Sequence, residues 1–136
     1  MRFVLDASVA ASWCFQDEND VRANAALELL QGDAHAVAPM HWWFEIRNVL
    51  LGAVRRKRIA ELQMAGFLDR LAKGPITLAE LPNASAVLAV ARNHRLSFYD
   101  AAYFELAKRE DIALATLDTA LVQAARSEAV PLIGMS

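Results

Sequence analysis

The sequence lacks the features that would tie it to a membrane or to an oxidising compartment. Its 136 residues contain one cysteine, Cys14, so an internal disulfide is excluded and a reducing compartment is expected. No apolar run reaches the roughly 18 to 20 residues that a membrane-spanning helix needs. Asp6 interrupts the apolar N-terminal stretch, where a signal peptide would have its hydrophobic core. We therefore expect a cytoplasmic protein with no membrane contact.

The sequence also has little net charge, no internal repeat and no low-complexity linker. A net charge of −2 gives no global positive field of the kind that nucleic-acid-binding proteins usually carry, although a local basic patch is compatible with it. A hydrophobic content of 56% against a charged content of 22% argues against a disordered chain. We expect residues 1–136 to form a single domain with a substantial core.

Five short, largely apolar segments alternate with segments of helical spacing. The strand-like segments are RFVL, HAVA, ITLAEL, IALAT and VPLI, at residues 2–5, 35–38, 76–81, 112–116 and 130–133. They lack the apolar–polar alternation of half-exposed strands, as expected when helices cover both faces of a sheet. The pattern predicts an α/β domain with a mostly parallel sheet.

Two aspartates follow strand-like segments directly. Asp6 ends VLD, and Asp118 ends ATLD. The carboxyl ends of parallel strands meet at one edge of a sheet, where ligands bind in such folds, so both acids could begin a metal site. For either aspartate taken alone, the favoured explanation is the N-cap of the helix that follows it.

Asp100 has a local explanation as well. Ser97 and Asp100 match the S-x-x-[DE] capping box, in which the acid only stabilises the start of a helix. Apolar residues surround it in SFYDAAY, however. A carboxylate in the first turn of such a helix can also point into the crevice at the strand ends.

Glu45 lies in a long, apolar helical segment that begins after Pro39. Helical spacing places it on one stripe with His41, Asn48 and Gly52, and we expect the helix to be buried on much of its circumference. An unpaired buried glutamate is costly, and Arg47 faces another way. A cation shared with other acids would resolve this cost; a solvated stripe on the helix would avoid it.

Four acids brought into one crevice would repel one another, and a hard divalent cation would relieve that repulsion. Mg²⁺ prefers oxygen ligands and typically takes one or two protein carboxylates with several waters. Zinc is not indicated, because Cys14 has no partner cysteine and His35, His41 and His94 lack ligand spacing. The acids therefore suggest magnesium-assisted chemistry on phosphodiesters.

Four motifs in a fixed order give the chain its resemblance to a known family. They are VLDAS, the pattern P-x(5)-E-x(2)-N-x-L, LSFYDAAY and ATLD, the second formed by Pro39, Glu45, Asn48 and Leu50. In this order and spacing the chain resembles the PIN-domain family, and within it the VapC-like toxin ribonucleases of bacterial toxin–antitoxin modules. The motifs span nearly the whole chain.

The resemblance implies a three-layer α/β/α fold with a central, mostly parallel sheet of about five strands. It implies an endoribonuclease that uses Mg²⁺, or Mn²⁺, to activate water against RNA phosphodiesters. The family's acidic quartet corresponds to Asp6, Glu45, Asp100 and Asp118. Asp6 and Asp100 would bind the metal directly, and Glu45 and Asp118 would act through water or a second ion.

Further residues and partners follow from the same resemblance. Ser8 and Thr116 would orient ligands or waters behind the first and last acids, and Asn48 matches a polar position one turn beyond the glutamate. The expected partners are a cognate VapB-like antitoxin, an RNA substrate and a second copy of the chain in a homodimer.

Two other groups of residues allow two interpretations each. The basic run is a candidate for contact with RNA phosphates or antitoxin, or a solvated helix terminus; it comprises Arg55, Arg56, Lys57 and Arg58. Trp42 and Trp43 could stack on bases, although packing in the core or in a dimer interface is favoured.

Two alternatives to a ribonuclease stay open. The domain could act chiefly as an antitoxin-binding module, or as a nuclease directed at DNA, since the acids do not read the sugar. A dehalogenase-like phosphatase is excluded, because it needs D-x-D after the first strand and the chain has Asp6-Ala7-Ser8.

Overall fold

The structure is a computed structural model and describes residues 1–135. Its elements, in chain order, are β1 (Arg2–Leu5), α1 (Ala7–Ser12), α2 (Val21–Gln31), β2 (His35–Ala38), α3 (His41–Arg55), α4 (Glu61–Lys73), β3 (Ile76–Leu78), α5 (Ala84–His94), α6 (Phe98–Glu110), β4 (Ala113–Ala115) and α7 (Thr119–Ser127). Within these residues, no helix has both the length and the apolar character needed to cross a membrane.

The four strands form one parallel sheet in the order β3-β2-β1-β4. β1 lies in the interior of the sheet, and its residues Phe3, Val4 and Leu5 are fully buried. Helices pack on the sheet and on one another: α2 contacts β2 and β4, α6 contacts β1 and β4, and α5 and α7 pack against α6. The predicted three-layer α/β/α fold with a mostly parallel sheet is confirmed.

The predicted fifth strand is reduced to a single bridge. In the segment VPLI only Leu132 pairs with the sheet, beside Leu114. The Leu114 N–H donates to the Pro131 carbonyl, and the Ile133 N–H donates to the Leu114 carbonyl. Pro131 has no N–H to extend the pairing, and the chain turns away at Gly134, whose φ is +75°. The sheet therefore has four strands and one added bridge.

The expectation that α3 is buried on much of its circumference is wrong. Its buried residues form one stripe at helical spacing, made of Trp42, Ile46, Leu50 and Ala53. Other large apolar side chains of α3 are exposed to solvent, namely Trp43, Phe44, Val49 and Leu51. Mean apolar content could not show this, because the exposed positions depend on where α1 and α4 pack against α3. Of the two tryptophans, Trp42 packs in the core, as favoured from the sequence.

The strand order fixes where a ligand site can form. From β1 the chain moves outward through β2 to β3, and then returns to place β4 on the other side of β1. The direction of winding reverses between β1 and β4. In open parallel sheets this reversal opens a crevice outside the carboxyl ends of the strands. We call this side of the sheet, where β1 ends at Leu5 and β4 at Ala115, the carboxyl edge.

Candidate active site

Two of the predicted acids meet at the carboxyl edge because their strands are paired. Leu5 lies opposite Ala115 in the register of β1 and β4, and the Asp6 N–H continues the pairing by donating to the Ala115 carbonyl at 3.0 Å. Asp6 and Asp118 therefore emerge from neighbouring strands at the reversal of winding. The prediction that both acids lie at one edge of the sheet matches this geometry.

Asp6 is buried, at 6% exposure, and is held by two hydroxyl groups. Ser8 Oγ and Thr116 Oγ1 each donate to Asp6 Oδ2 at 2.7 Å. Each hydroxyl also accepts a backbone N–H at 3.0 Å, from Leu117 and Asp118 respectively. Ser8 and Thr116 thus orient the Asp6 carboxylate; their role behind a metal ligand stays a prediction. Among residues 1–135, no group donates to Oδ1 of Asp6.

The charge of Asp6 is not balanced by a cation. Burial raises its pKa from 3.8 to about 6, although the Thr116 and Ser8 hydroxyls act to lower it. The carboxylates of Glu45 and Asp100 raise it further, which shows that these acids lie close enough to interact. We call Asp6, Glu45, Asp100 and Asp118 the acidic cluster.

Asp118 and Ser97 have the capping roles that the sequence suggested. The Asp118 side chain caps α7 by accepting from Leu121 N–H at 3.0 Å. Ser97 caps α6 by accepting from Asp100 N–H at 3.1 Å. Partial burial of Asp100 raises the pKa of its carboxyl, and the charges of Asp118 and Glu45 raise it further. Capping and membership of the acidic cluster are therefore compatible.

Glu45 is half-buried and has a partner within the protein, unlike the buried and unpaired side chain considered from the sequence. The Tyr103 hydroxyl donates to Glu45 Oε1 at 2.6 Å. Burial, together with the charges of Asp6 and Glu45, raises the pKa of Tyr103, so its hydroxyl keeps its proton. His41, one turn before Glu45, places Nε2 at 3.5 Å from the same oxygen. These contacts fix α3 against α6 at the site.

Sequence reasoning treated Tyr103 only as an apolar neighbour of Asp100. Tyr103 closes the motif LSFYDAAY and follows Asp100 by one helical turn, so the two side chains lie on one side of α6. That spacing was the available signal. Its partner Glu45 is 58 residues away, and no local pattern connects them.

The basic run is partly neutralised. Arg58 pairs with Asp17 at 3.0 Å and with Glu18 at 2.8 Å, and its guanidinium lies over the Phe15 ring. The other three cations, Arg55, Arg56 and Lys57, are exposed where α3 ends. Contact of this run with RNA or an antitoxin stays a prediction.

The acidic cluster suits a divalent cation bound partly through water. In the described part of the chain, no group of three His, Cys, Asp or Glu side chains is arranged to hold an ion directly. The acids supply oxygen donors only, and Asp6 carries a buried charge beside two other carboxylates. Mg²⁺ commonly uses one or two carboxylates and retains waters, so the residues present fit this ion.

Comparison with known proteins identifies the family. The model of the PIN domain matches residues 3–127, which is most of the chain. The chain belongs to the PIN domain family. The family predicted from the four motifs is thereby confirmed, and the matched region contains all four residues of the acidic cluster.

Solved structures show the same fold in this PIN domain. PAE2754 from Pyrobaculum aerophilum is 20% identical, with a TM-score of 0.72 over 91% of this chain and 84% of that one. Mycobacterium tuberculosis VapC20, a sarcin-ricin loop cleaving toxin, is 18% identical, with a TM-score of 0.59 over 90% and 94%. FitAcB from Neisseria gonorrhoeae is 20% identical, with a TM-score of 0.54 over 96% of both chains. No curated protein gives a significant sequence match.

Proposed function

We propose that this PIN domain is a metal-dependent endoribonuclease and the toxin of a VapBC-like toxin–antitoxin pair. The observation that carries the proposal is Asp6, a buried carboxylate at the carboxyl edge with other acids around it and hydroxyl groups as its hydrogen-bond donors. Such an arrangement is costly for the folded chain unless a cation is bound there. The likeness in fold to VapC20, a toxin that cleaves the sarcin-ricin loop, supports an RNA substrate.

The residues of the site have separable tasks. Asp6 and Asp100 would hold Mg²⁺ or Mn²⁺ directly, with Glu45 and Asp118 acting through water or a second ion. Such an ion, when bound, supplies positive charge that acidifies a coordinated water and offsets charge that develops on the phosphate. Ser8 and Thr116 keep Asp6 in one orientation through its Oδ2 atom. Asn48 is exposed one turn after Glu45 and would act as a polar group beside the acids.

The proposed partners follow from the same charge imbalance. A VapB-like antitoxin that inserts a basic side chain among the acids would neutralise them as a metal does and would block the site. A homodimer is also proposed, and the exposed Trp43 and Val49 side chains of α3 support a protein interface. Antitoxin binding as the chief role, without catalysis, is the competing function.

The first experiment compares isosteric variants of two acids with a matched control. Asp6→Asn and Asp100→Asn should each lower the initial rate of RNA cleavage in Mg²⁺ by at least about 100-fold, since even the outer partners of metal ligands are worth about 10- to 100-fold. Asp33→Asn is the control, because Asp33 is exposed and precedes β2 at the opposite edge of the sheet. Its rate should equal that of the wild type.

Cleavage that persists in Asp6→Asn, or that does not depend on a divalent ion, would show that the assignment is wrong. A wild-type protein that binds an antitoxin but cleaves no RNA would favour the binding module. Each preparation should be assayed on single-stranded DNA in parallel, because cleavage of DNA alone would redirect the proposal to the deoxyribonuclease alternative.

A further inference from the structure

A cleft lies beside the acidic cluster, between α3 and the first turn of α6. Its volume is about 510 Å³, within the range of about 300 to 1,000 Å³ that is usual for small-ligand sites. We call it the aromatic cleft; the lining residues that matter are His41, Phe44, Glu45, Arg47, Asn48 and Tyr99. Glu45 belongs to both the cleft and the acidic cluster. A ligand in the cleft would therefore lie next to the proposed site of cleavage.

The cleft presents two aromatic rings to solvent. Phe44 is 69% exposed and Tyr99 is 62% exposed, whereas Tyr103, one turn further along α6, is fully buried. His41 holds Tyr99 in place: its Nε2 lies 3.0 Å from the Tyr99 carbonyl oxygen, and the two ring centroids are 5.2 Å apart. Tyr99 is therefore positioned before any ligand binds.

Polar groups border these rings. Asn48 is exposed on α3 and offers both amide donors and an acceptor. Arg47 lies over the Trp43 ring at 3.7 Å and donates through one Nη to the Trp43 carbonyl, which fixes its guanidinium at the rim of the cleft. An apolar side chain from a protein partner would leave these groups unused. The edge of a nucleobase needs such donors and acceptors.

We propose that the aromatic cleft binds one unpaired nucleobase of the RNA strand that is cleaved, stacked on Phe44 and Tyr99. The inference rests on the proposed function and deepens it. It requires the substrate to be single-stranded where it is cut, because a base paired in a helix cannot enter the cleft. It also makes the identity of one base next to the scissile phosphate a determinant of the cleavage site.

The test combines substrate and protein changes. A short single-stranded RNA with a mapped cut is prepared as a series, each member carrying one abasic nucleotide. For the wild type, one abasic position beside the cut should lower kcat/KM by about 10- to 100-fold, the range expected from stacking on an aromatic ring. Phe44→Ala and Tyr99→Ala should lower it similarly on intact RNA. In these variants the abasic position should lower kcat/KM by at most a further few-fold, because the stacking contact with the base is already lost.

Leu62→Ala is the control, because Leu62 is 87% exposed on α4, outside the cleft. This variant should lose as much kcat/KM on the abasic RNA as the wild type does. If Phe44→Ala or Tyr99→Ala and the abasic position lower kcat/KM independently, so that their free-energy losses add, the base site is wrong although the proposed nuclease activity still stands. A Phe44→Ala variant that dissociates a dimer in sedimentation, with unchanged dependence on the base, would overturn it in favour of a protein interface. A wild type that cleaves no member of the series would overturn the proposed function itself, and the base site with it.

Discussion

Two buried carboxylates in this protein have the same exposure and opposite surroundings. Asp6 and Glu105 are both 6% exposed. Arg109, one turn after Glu105 on α6, donates through Nε to both of its carboxylate oxygens, at 3.2 and 3.0 Å. Asp6 accepts side-chain hydrogen bonds from hydroxyl groups only. The nearby charges that act on its pKa are the negative carboxylates of Glu45 and Asp100.

The difference is the one expected between a carboxylate that stabilises the fold and one that belongs to the proposed functional site. A buried charge is expensive, and at Glu105 the neighbouring cation compensates for it. At Asp6 no neighbouring cation compensates for the buried charge. In residues 1–135 no salt bridge forms to Asp6, Asp100 or Asp118. Uncompensated, perturbed carboxylates in a crevice are typical of functional sites. The following variants test whether this contrast in charge balance is real.

The largest expected effect is stabilisation by a divalent cation. At Mg²⁺ concentrations of about 100 times its dissociation constant, the free energy of unfolding should rise by about 2.7 kcal/mol, because the ion binds the folded chain. Urea unfolding with and without Mg²⁺ measures this. Glu105→Gln should respond as the wild type does, and a double variant with Asp6→Asn and Asp100→Asn should not. An equal response in the double variant would place the ion elsewhere.

The next effect is stabilisation by removal of the Asp6 charge. In the absence of divalent ions, Asp6→Asn should raise the free energy of unfolding at neutral pH by about 2 to 3 kcal/mol, since each unit of pKa shift is worth about 1.4 kcal/mol and the pKa of Asp6 is raised by roughly two units, from 3.8 to about 6. The folded chain holds this proton more tightly than the unfolded chain. The stability that this proton contributes to the wild type is therefore fully present below about pH 4 and is lost as the pH rises through about 6.

Urea unfolding across this pH range, in a chelating buffer, checks the sign. The wild type should lose stability relative to Asp6→Asn as the pH rises from about 4 to about 7. If the difference in free energy of unfolding between the two proteins is independent of pH, or if the variant gains stability over the wild type as the pH falls, folding does not raise the pKa of Asp6.

Glu105→Gln should have the opposite sign and a smaller size. Loss of its charge removes the pair with Arg109, and we expect the protein to be destabilised by about 1 kcal/mol. The effect is limited because the Arg109 side chain is 41% exposed and can be solvated. The same urea series measures it at neutral pH. A Glu105→Gln protein that is more stable than the wild type would remove the contrast with Asp6.

The smallest effect concerns the exposed pair at the C-terminal end of α6. Arg2 donates to Glu110 at 2.9 Å, and both side chains are open to solvent. Arg2→Gln should leave the urea midpoint unchanged within error, because water and salt replace such a pair at little cost. A clear loss would mean that ion pairs at this end of α6 matter more than their exposure suggests.

The parts of the site that could be predicted are those fixed by short stretches of sequence. Asp6 and Asp118 follow apolar strands, and pairing of β1 with β4 brings them together. The caps by Ser97 and Asp118 involve atoms three residues apart, so a local pattern suffices. The four motifs supplied the acidic quartet as a set, and Glu45 could not have been assigned to it from helical spacing alone.

The parts that could not be predicted depend on packing over long separations. The contact between Tyr103 and Glu45 requires α3 and α6 to meet at one angle, which sequence spacing does not encode. The side of α3 that faces solvent depends on where α1 and α4 pack. The segment VPLI has the composition of a strand, but Pro131 and the turn at Gly134 leave it with one bridge.

The two hydroxyls on Asp6 also set the direction of every hydrogen bond around it. Ser8 and Thr116 each accept a backbone N–H, so their own protons are committed to Oδ2 of the carboxylate. A proton taken up by Asp6 is therefore left with Oδ1, the carboxylate oxygen that accepts no hydrogen bond within residues 1–135. If the proposed ion binds through this oxygen, acid and metal would compete for it, so falling pH should release the ion as directly as a chelator does.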